Sequence, residues 1–578
     1  MKLPKLRELD SSRQMVDTFR GYNHNLRISD GEFFDMKNMT SDHYPVLSPR
    51  KKRGLYASPE NPKGLIAKDA LCYVDGANFV INEYPVNMGL NDEPKQLISM
   101  GAYVIIMPDK KWINTLDITE YGDIEASYTS SGDVTFSLCT AEGGDYENMT
   151  VSATEPDDAE NMDLWIDTST TPHALKQYST TSAMWVQVPT TYIKISSPGI
   201  GKGFNLYDGV TISGVKDENL QDLNASMVIW AKDDDYIVVI GILDIVTEQT
   251  AEDGAVKVER KMPNVDFLIE SENRLWGCKY GVANNGEVVN EIYASKLGDF
   301  KNWNCFMGLA TDSYAATCGT DGQFTGAITH MGYPLFFKEN FVHKVYGNYP
   351  ANFQIQTTAC RGVQKGCHKS LAIVNEVLFY KARSGICSYD GSLPTEASYA
   401  LGNEAYGEAV GGGHGNKYYV SMKDVMGKWN LFVYDTAKSM WHKEDDFQAD
   451  CFCSCRNDMY AISNGDIIAV LGSGEDYEGD IEWMVQTGEI GISSPDMKYI
   501  SRLTVRMAMD IGSEVRFYAQ YDYCDAWEPL FTLRSDNLRS FSLPIRPKRC
   551  DHMKLRIEGE GMAKIYSITK TIEQGSEL

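Results

Sequence analysis

The stretch "PLFFKENFVHKVYG" at residues 334–347 is followed by "VLFYKARSGICSYDG" at 377–391. A single shift superposes Leu335 on Leu378, Phe336 on Phe379, Lys338 on Lys381 and Tyr346 on Tyr389. Related segments start at "RLWGCKYG" (Leu275, Trp276), "KYYVSM" (Tyr418, Tyr419) and "DMYAISN" (Met459, Tyr460), so successive copies step by 60, 43, 40 and 41 residues. A unit of about 40 to 50 residues that cannot bury its apolar face alone must stack on its neighbours, and at this length it is a four-stranded propeller blade.

Each copy is an apolar-aromatic strand, a short polar turn and a second strand, the latter reading "EIYAS", "VHKVYG", "GICSYDG", "NLFVYDT" and "DIIAVLG". The connections "KENF", "KARSG" and "SNGD" are rich in Gly, Asn and charge, as hairpin turns require. Helical periodicity is not sustained over four turns anywhere, and the strands are β-branched and aromatic. The predicted class is therefore all-β. Two earlier segments, 70–86 and 102–116, share the rhythm and bring the predicted propeller to about seven blades.

The rhythm breaks between Leu116 and about Val256, where strand-like runs such as "DLWIDTSTTPHALKQYSTTSAMWVQV" are separated by acidic turns; this predicts an inserted β domain. After Gly479, apolar and polar residues alternate in segments of about eight, the pattern of an antiparallel sandwich. The chain is thus read as an arm (1–45), first blades (46–116), insert (117–255), remaining blades (256–478) and terminal sandwich (479–578).

Fifty-four Lys and Arg against 80 Asp and Glu leave a net charge of −26. Such a chain is not built for general adhesion to nucleic acid, whose affinity comes from cations neutralising phosphates. No apolar run approaches the roughly 18 residues of a spanning helix, and the N-terminal stretch has no secretory apolar segment, so the expected place of synthesis is a cytoplasm. The 13 cysteines are scattered. Cys451, Cys453 and Cys455 fall at period two, one face of a strand. With His442 nearby they lack the paired CxxC-like spacing of a structural zinc site, and no metal or cofactor is expected.

The search for catalytic motifs is negative: no HExxH, no GxSxG elbow and no Walker loop, since "GGGHGNK" lacks the spacing and the following Ser or Thr. "YASKLGDFKNW" holds Ser295, Gly298, Asp299 and Trp303, a hairpin-ending turn with the order of Gly and Asp reversed relative to a sialidase box. The chain is expected not to be an enzyme.

The segments "GEFFDMKNMTSDHYPVLSPRKKRGLY", "GAYVIIMPDKKWINT", "NEIYASKLGDFKNW" and "LPIRPKRCDHMKLRIEGEGMAKIYSITKTIEQGSEL" resemble proteins of tailed phages and prophages of Gram-positive gut bacteria. More distantly they resemble the tail-hub or nozzle proteins of short-tailed phages, the packaged-DNA stabilisation family. The resemblance spans the propeller and the terminal sandwich. The insert stretch from Asp163 separately resembles small β modules of phage tail and fibre proteins.

That resemblance implies a structural virion protein, assembled in the host cytoplasm as a six-fold ring below a portal and adaptor, whose lumen carries packaged DNA without specific binding. An acidic lumen would let the phosphate backbone slide. A closed ring needs heterologous contacts, for which Arg50, Lys51, Lys52, Arg53, Arg546, Lys548 and Arg549 are the candidate positive faces. The alternative is a receptor- or glycan-binding tail component acting through the insert, with Trp165, Tyr178 and Trp185 as contacts. A propeller hydrolase would need a funnel lined by carboxylates or arginines, which the blade strands do not offer.

Overall fold

Each of the five repeated segments is the second strand of its sheet: Arg274–Val282, Tyr333–Lys338 and Val377–Ala382 in four-stranded sheets, Lys417–Asp424 in a ten-stranded sheet and Asp458–Ser463 in a five-stranded one. The residues that mark the repeat, Leu275, Leu335, Leu378, Tyr418 and Met459, are all fully buried, so the repetition is that of a core position. The structure is a computed structural model that describes residues 11–147, 149–242, 250–282, 286–493, 497–522, 524–534, 539–546 and 548–574. It is all-β and of the propeller class, as the sequence predicts.

Among the described residues, sheets of the blade pattern span 62–87, 96–123, 267–317, 324–359, 372–396 and 406–443. A seventh joins Cys451–Cys455, Asp458–Ser463 and Asp466–Ala469 to Gly54–Ala57. The first hairpin of several of these sheets closes through two residues that both have positive φ: Glu272 and Asn273, Met331 and Gly332, Asn375 and Glu376. That is the turn whose twist matches paired strands.

The chain divides into two compact units, Met1–Lys95 with Phe337–Val342 and Thr358–Leu578, and Gln96–Phe336 with His343–Thr357. In the first, the N-terminal residues are not a free-standing arm. Ser11–Val16 pairs antiparallel with Ala563–Gln574, and Gly21–Tyr22 with Glu32–Lys37 bridges Met440–Lys443 to Glu482–Thr487. Burial of Phe19, Phe33 and Met36 explains why this segment is drawn into the sheets; residues 1–10 of the expected arm lie outside the described residues. Two terminal sheets, one built on Lys498–Met509 and Ala563–Gln574, the other on Glu514–Tyr521 and Met553–Glu560, occupy the C-terminal region. Cys451, Cys453 and Cys455 lie along one strand and pack on Leu71, Ile462 and Ile467.

In the second unit, an eight-stranded sheet runs from Ala126–Thr129 to Thr250–Asp253, and a four-stranded sheet covers 149–187. One cluster including Phe136, Leu164, Ile166, Leu175, Ile193, Ile212 and Val239 fills the space between them. The insert docks on the loop after Val288–Ala294. Asn302 donates to Asp208 Oδ1 at 2.9 Å and accepts from Gly209 N–H at 2.8 Å, while Arg260 pairs with Asp208. A Cβ at Gly209 would lie 2.7 Å from the Asn304 backbone, so only glycine permits this approach.

Candidate functional site

The sheet Met149–Ser152, Leu164–Asp167, Ala174–Ser179 and Met184–Gln187 has one face committed to the core through Leu164, Ile166 and Leu175. Because side chains alternate along a strand, the opposite face carries Trp165, Asp167, Lys176, Tyr178, Trp185 and Gln187. Register sets Trp165 opposite Lys176, Lys176 opposite Gln187, and Tyr178 opposite Trp185. The three rings meet edge to face: Trp165 and Trp185 are 5.5 Å apart at 67°, Tyr178 and Trp185 5.3 Å apart at 62°.

Polar groups fix this cluster. Lys176 Nζ lies 4.5 Å over the Trp165 ring and 2.8 Å from Asp167, and Trp165 Nε1 donates to Ser152 O at 2.9 Å. Hydrogen bonds from Lys176 and Ser169 hold the Asp167 carboxyl down at about 2. Trp185 Nε1 is buried without an acceptor among the described residues. Trp165 itself is only 5% exposed, covered by its neighbours, so its expected role as a direct contact is corrected to that of a base for Trp185 and Lys176. Tyr178 and Trp185 are half-exposed. An aromatic face is electron-rich, and the C–H groups of a sugar ring suit it, while carboxylate, ammonium and amide groups beside it match hydroxyls.

The expected positive faces divide. Arg50 and Arg53 turn inward: Arg50 donates to Glu478 at 2.7 Å and Asp445 at 3.0 Å, and Arg53 to Glu444 at 2.7 Å and Asp445 at 2.8 Å. At 6% and 3% exposure neither offers its charge to another subunit, which corrects that expectation; buried Glu444 and half-buried Asp445 and Glu478 of the same chain are their partners. Lys51, Lys52, Arg546, Lys548 and Arg549 are exposed, with Lys52 2.8 Å from Asp480 and Lys548 paired to Glu528.

A polar cavity of about 650 Å³ in the first unit is lined by Asp42, Lys417, Asp435, Lys438, Glu444 and Asp458 among others. Its charges are already coupled, Lys417 to Asp42 at 2.6 Å and Lys438 to Asp435 at 2.8 Å, and these contacts lower both carboxyls against the upward push of burial. The Ser295 to Trp303 turn is structural. Ser295 Oγ accepts from Leu275 N–H, Asp299 accepts from Lys301 N–H, and Trp303 Nε1 donates to Phe300 O. Among the described residues no three His, Cys, Asp or Glu side chains are grouped as metal ligands, and no helix is long and apolar enough to cross a membrane.

No protein-family model matches the chain, and no curated protein matches it. Solved structures do. An exo-β-1,3-galactanase from Phanerochaete chrysosporium is 9% identical over 52% of this chain and 94% of its own, with a TM-score of 0.20. The endosialidase of phage phi92 is 8% identical over 80% and 76%, at 0.23. Trypanosoma rangeli sialidase is 8% identical over 90% and 95%, at 0.17. The class defined is that of the β-propeller proteins. The expectation that the chain is not an enzyme is corrected: hydrolases stand among its structural neighbours, so absence of sequence motifs gives no ground for it.

Proposed function

We propose that this protein binds glycan through the inserted β domain, as a receptor-recognising component of a phage tail. The observation that carries this reading is the placement of Trp165, Tyr178 and Trp185 ring to ring on the sheet face turned away from the core, beside Asp167, Lys176 and Gln187. Packing does not require that face to be aromatic, since the core is served by Leu164, Ile166 and Leu175. The test is binding of the full chain to immobilised Gram-positive cell-wall polysaccharide, with Trp185→Ala and Tyr178→Ala compared at matched melting temperature. Loss of at least about tenfold in affinity is expected; unchanged affinity in both variants refutes the reading.

A second reading, a homohexameric hub below portal and adaptor that retains DNA and passes it during ejection, is favoured by the net charge of −26. Its subunit contacts would fall to the exposed Lys51, Lys52, Arg546, Lys548 and Arg549. Electron microscopy of virions tests it: six copies around an axial channel support the hub, and density confined to appendages supports the glycan-binding reading.

A further inference from the structure

Arg274 begins the strand Arg274–Val282 and is 2% exposed. Its Nη1 donates to the carbonyls of Ser295, at 2.8 Å, and Asp312, with a longer contact to Thr311; Nη2 donates to Ala310 O at 2.8 Å. A guanidinium has five N–H groups. Among the described residues the protein supplies no acceptor for Nε–H or for the second Nη2–H, and no carboxylate stands within ion-pair distance. Nε and Nη2 form the side edge of the fork, the edge that grips a carboxylate or phosphate with two parallel hydrogen bonds.

Arg274 lines a cavity of about 360 Å³ together with Glu272, Trp276, Met331, Tyr333, Asn348 and Phe353. The guanidinium carbon lies 5.6 Å from the centre of the Phe353 ring, and Phe353 meets Trp276 edge to face at 5.0 Å. Tyr333 is 36% exposed at the rim. The cavity thus combines a buried, oriented cation with ring surfaces, and its rim adds an exposed carboxylate on Glu272 and an exposed amide on Asn348. Burial lowers the Arg274 pKa, with only Asp312 working against it.

We propose that this cavity binds a sugar bearing an oxyanion, a carboxylate or a phosphate, held by the Nε and Nη2 edge of Arg274 with its ring against Tyr333 and Phe353. The site is separate from the aromatic face of the insert and does not depend on it. A neutral polyol would leave the guanidinium edge without a charged acceptor, and a simple inorganic anion would leave the rings unused.

The experiment is titration of the full chain, followed by saturation-transfer NMR, with sodium D-glucuronate, D-glucose 6-phosphate and D-glucose. At least one of the two acids is expected to bind, and glucose at least about tenfold more weakly, the loss that follows when a charged acceptor is missing. Preference for glucuronate assigns a sugar acid, and preference for the phosphate a phosphorylated sugar. Arg274→Lys tests the fork, but Arg274 also holds the 295–312 loop, so Asn348→Asp serves as the second variant. Placing a negative charge at the rim without touching that loop is expected to weaken acid binding about tenfold. Failure of both acids to bind, equal binding of glucose, or indifference to Asn348→Asp overturns the proposal. Trp185→Ala leaves acid binding unchanged if the cavity is the site; its loss in that variant moves the site to the insert and overturns the proposal.

Discussion

Arg53 and Asp445 form a two-pronged pair: Nη1 donates to Oδ2 and Nη2 to Oδ1, each at 2.8 Å. The guanidinium also lies 4.3 Å from the centre of the Phe447 ring. Burial pushes the Asp445 carboxyl up, but Arg53 and Arg50 overcome it and hold it at about 2. Burial works against the Arg53 charge in the same way, and Asp445, Glu444 and Glu478 restore it. Arg53 directly precedes Gly54–Ala57, the strand that pairs with Asp466–Ala469, so the ion cluster fixes the register of a pairing about 400 residues apart in the chain.

Arg53→Ala is therefore expected to destabilise the unit by about 3–5 kcal/mol, because three carboxylates lose a buried partner. Urea unfolding measures the loss, and hydrogen exchange should show the amides of Gly54–Ala57 opening first. Arg53→Lys keeps the charge but not the fork and is expected to recover only part of the stability. A loss below about 1 kcal/mol in the alanine variant would mean that the strand is held by its ladder alone.

One buried histidine sets the acid limit. Burial lowers His442 to about 3, whereas an unfolded histidine titrates near 6.5. Below pH 6.5 the unfolded chain binds protons that the native state refuses, so stability is complete above 6.5 and falls as pH drops toward 4. At pH 4 the expected loss is about 3 kcal/mol from His442. Asp445 adds a later loss, present above its unfolded value and removed as pH falls through about 2. Melting temperatures from pH 7.5 to 4 measure the first limb, and His442→Leu should flatten it.

The hairpin turn at Asn375 and Glu376 sets Glu376 at a φ of 66°. A side chain there costs about 1–2 kcal/mol, partly offset by the greater entropy that glycine loses on folding. Glu376→Gly is expected to stabilise by about 0.5–1 kcal/mol, read as a rise of about 1 °C in Tm. A fall would show that the Glu376 side chain contributes contacts worth more than the strain.

The middle strands of the blades were legible because they are buried on both sides, and Leu335 and Leu378 repeat what that environment demands. Their edge partners were not. Ser11–Val16 is polar and mostly exposed, and Gly54–Ala57 is four residues long, so neither carries a period that reveals a distant partner. Arg50 and Arg53 read as an outward basic run because the carboxylates that bury them lie about 390 to 430 positions later. Trp165, Tyr178 and Trp185 stood out in the sequence. Their alternation could not tell which face meets the core, since Leu164, Ile166 and Leu175 are equally apolar. Arg274 was missed inside a repeat; its one signal is position, directly before the buried strand residue, where other copies have Pro334, Val377, Lys417 and Asp458.

Gly559 and Trp483 give the last test, in the terminal sheets. They stand directly opposite in register, and the indole crosses the neighbouring strand so closely that a Cβ on Gly559 would lie 2.2 Å from its ring carbons. Trp483 is 2% exposed and its Nε1 donates to Gly561 O at 2.9 Å, so the ring cannot swing away without losing both its burial and that bond. The pair is a cross-strand arrangement in which a large ring covers a position that has no side chain. Gly559→Ala is expected to cost about 1–3 kcal/mol by overpacking. Trp483→Leu alone should also destabilise, through lost area and the lost hydrogen bond. The combination should cost less than the sum, because the smaller side chain leaves room for the methyl group. A double-mutant cycle by urea unfolding measures that coupling, and strict additivity would show that the strand shifts to admit the methyl group without involving the indole.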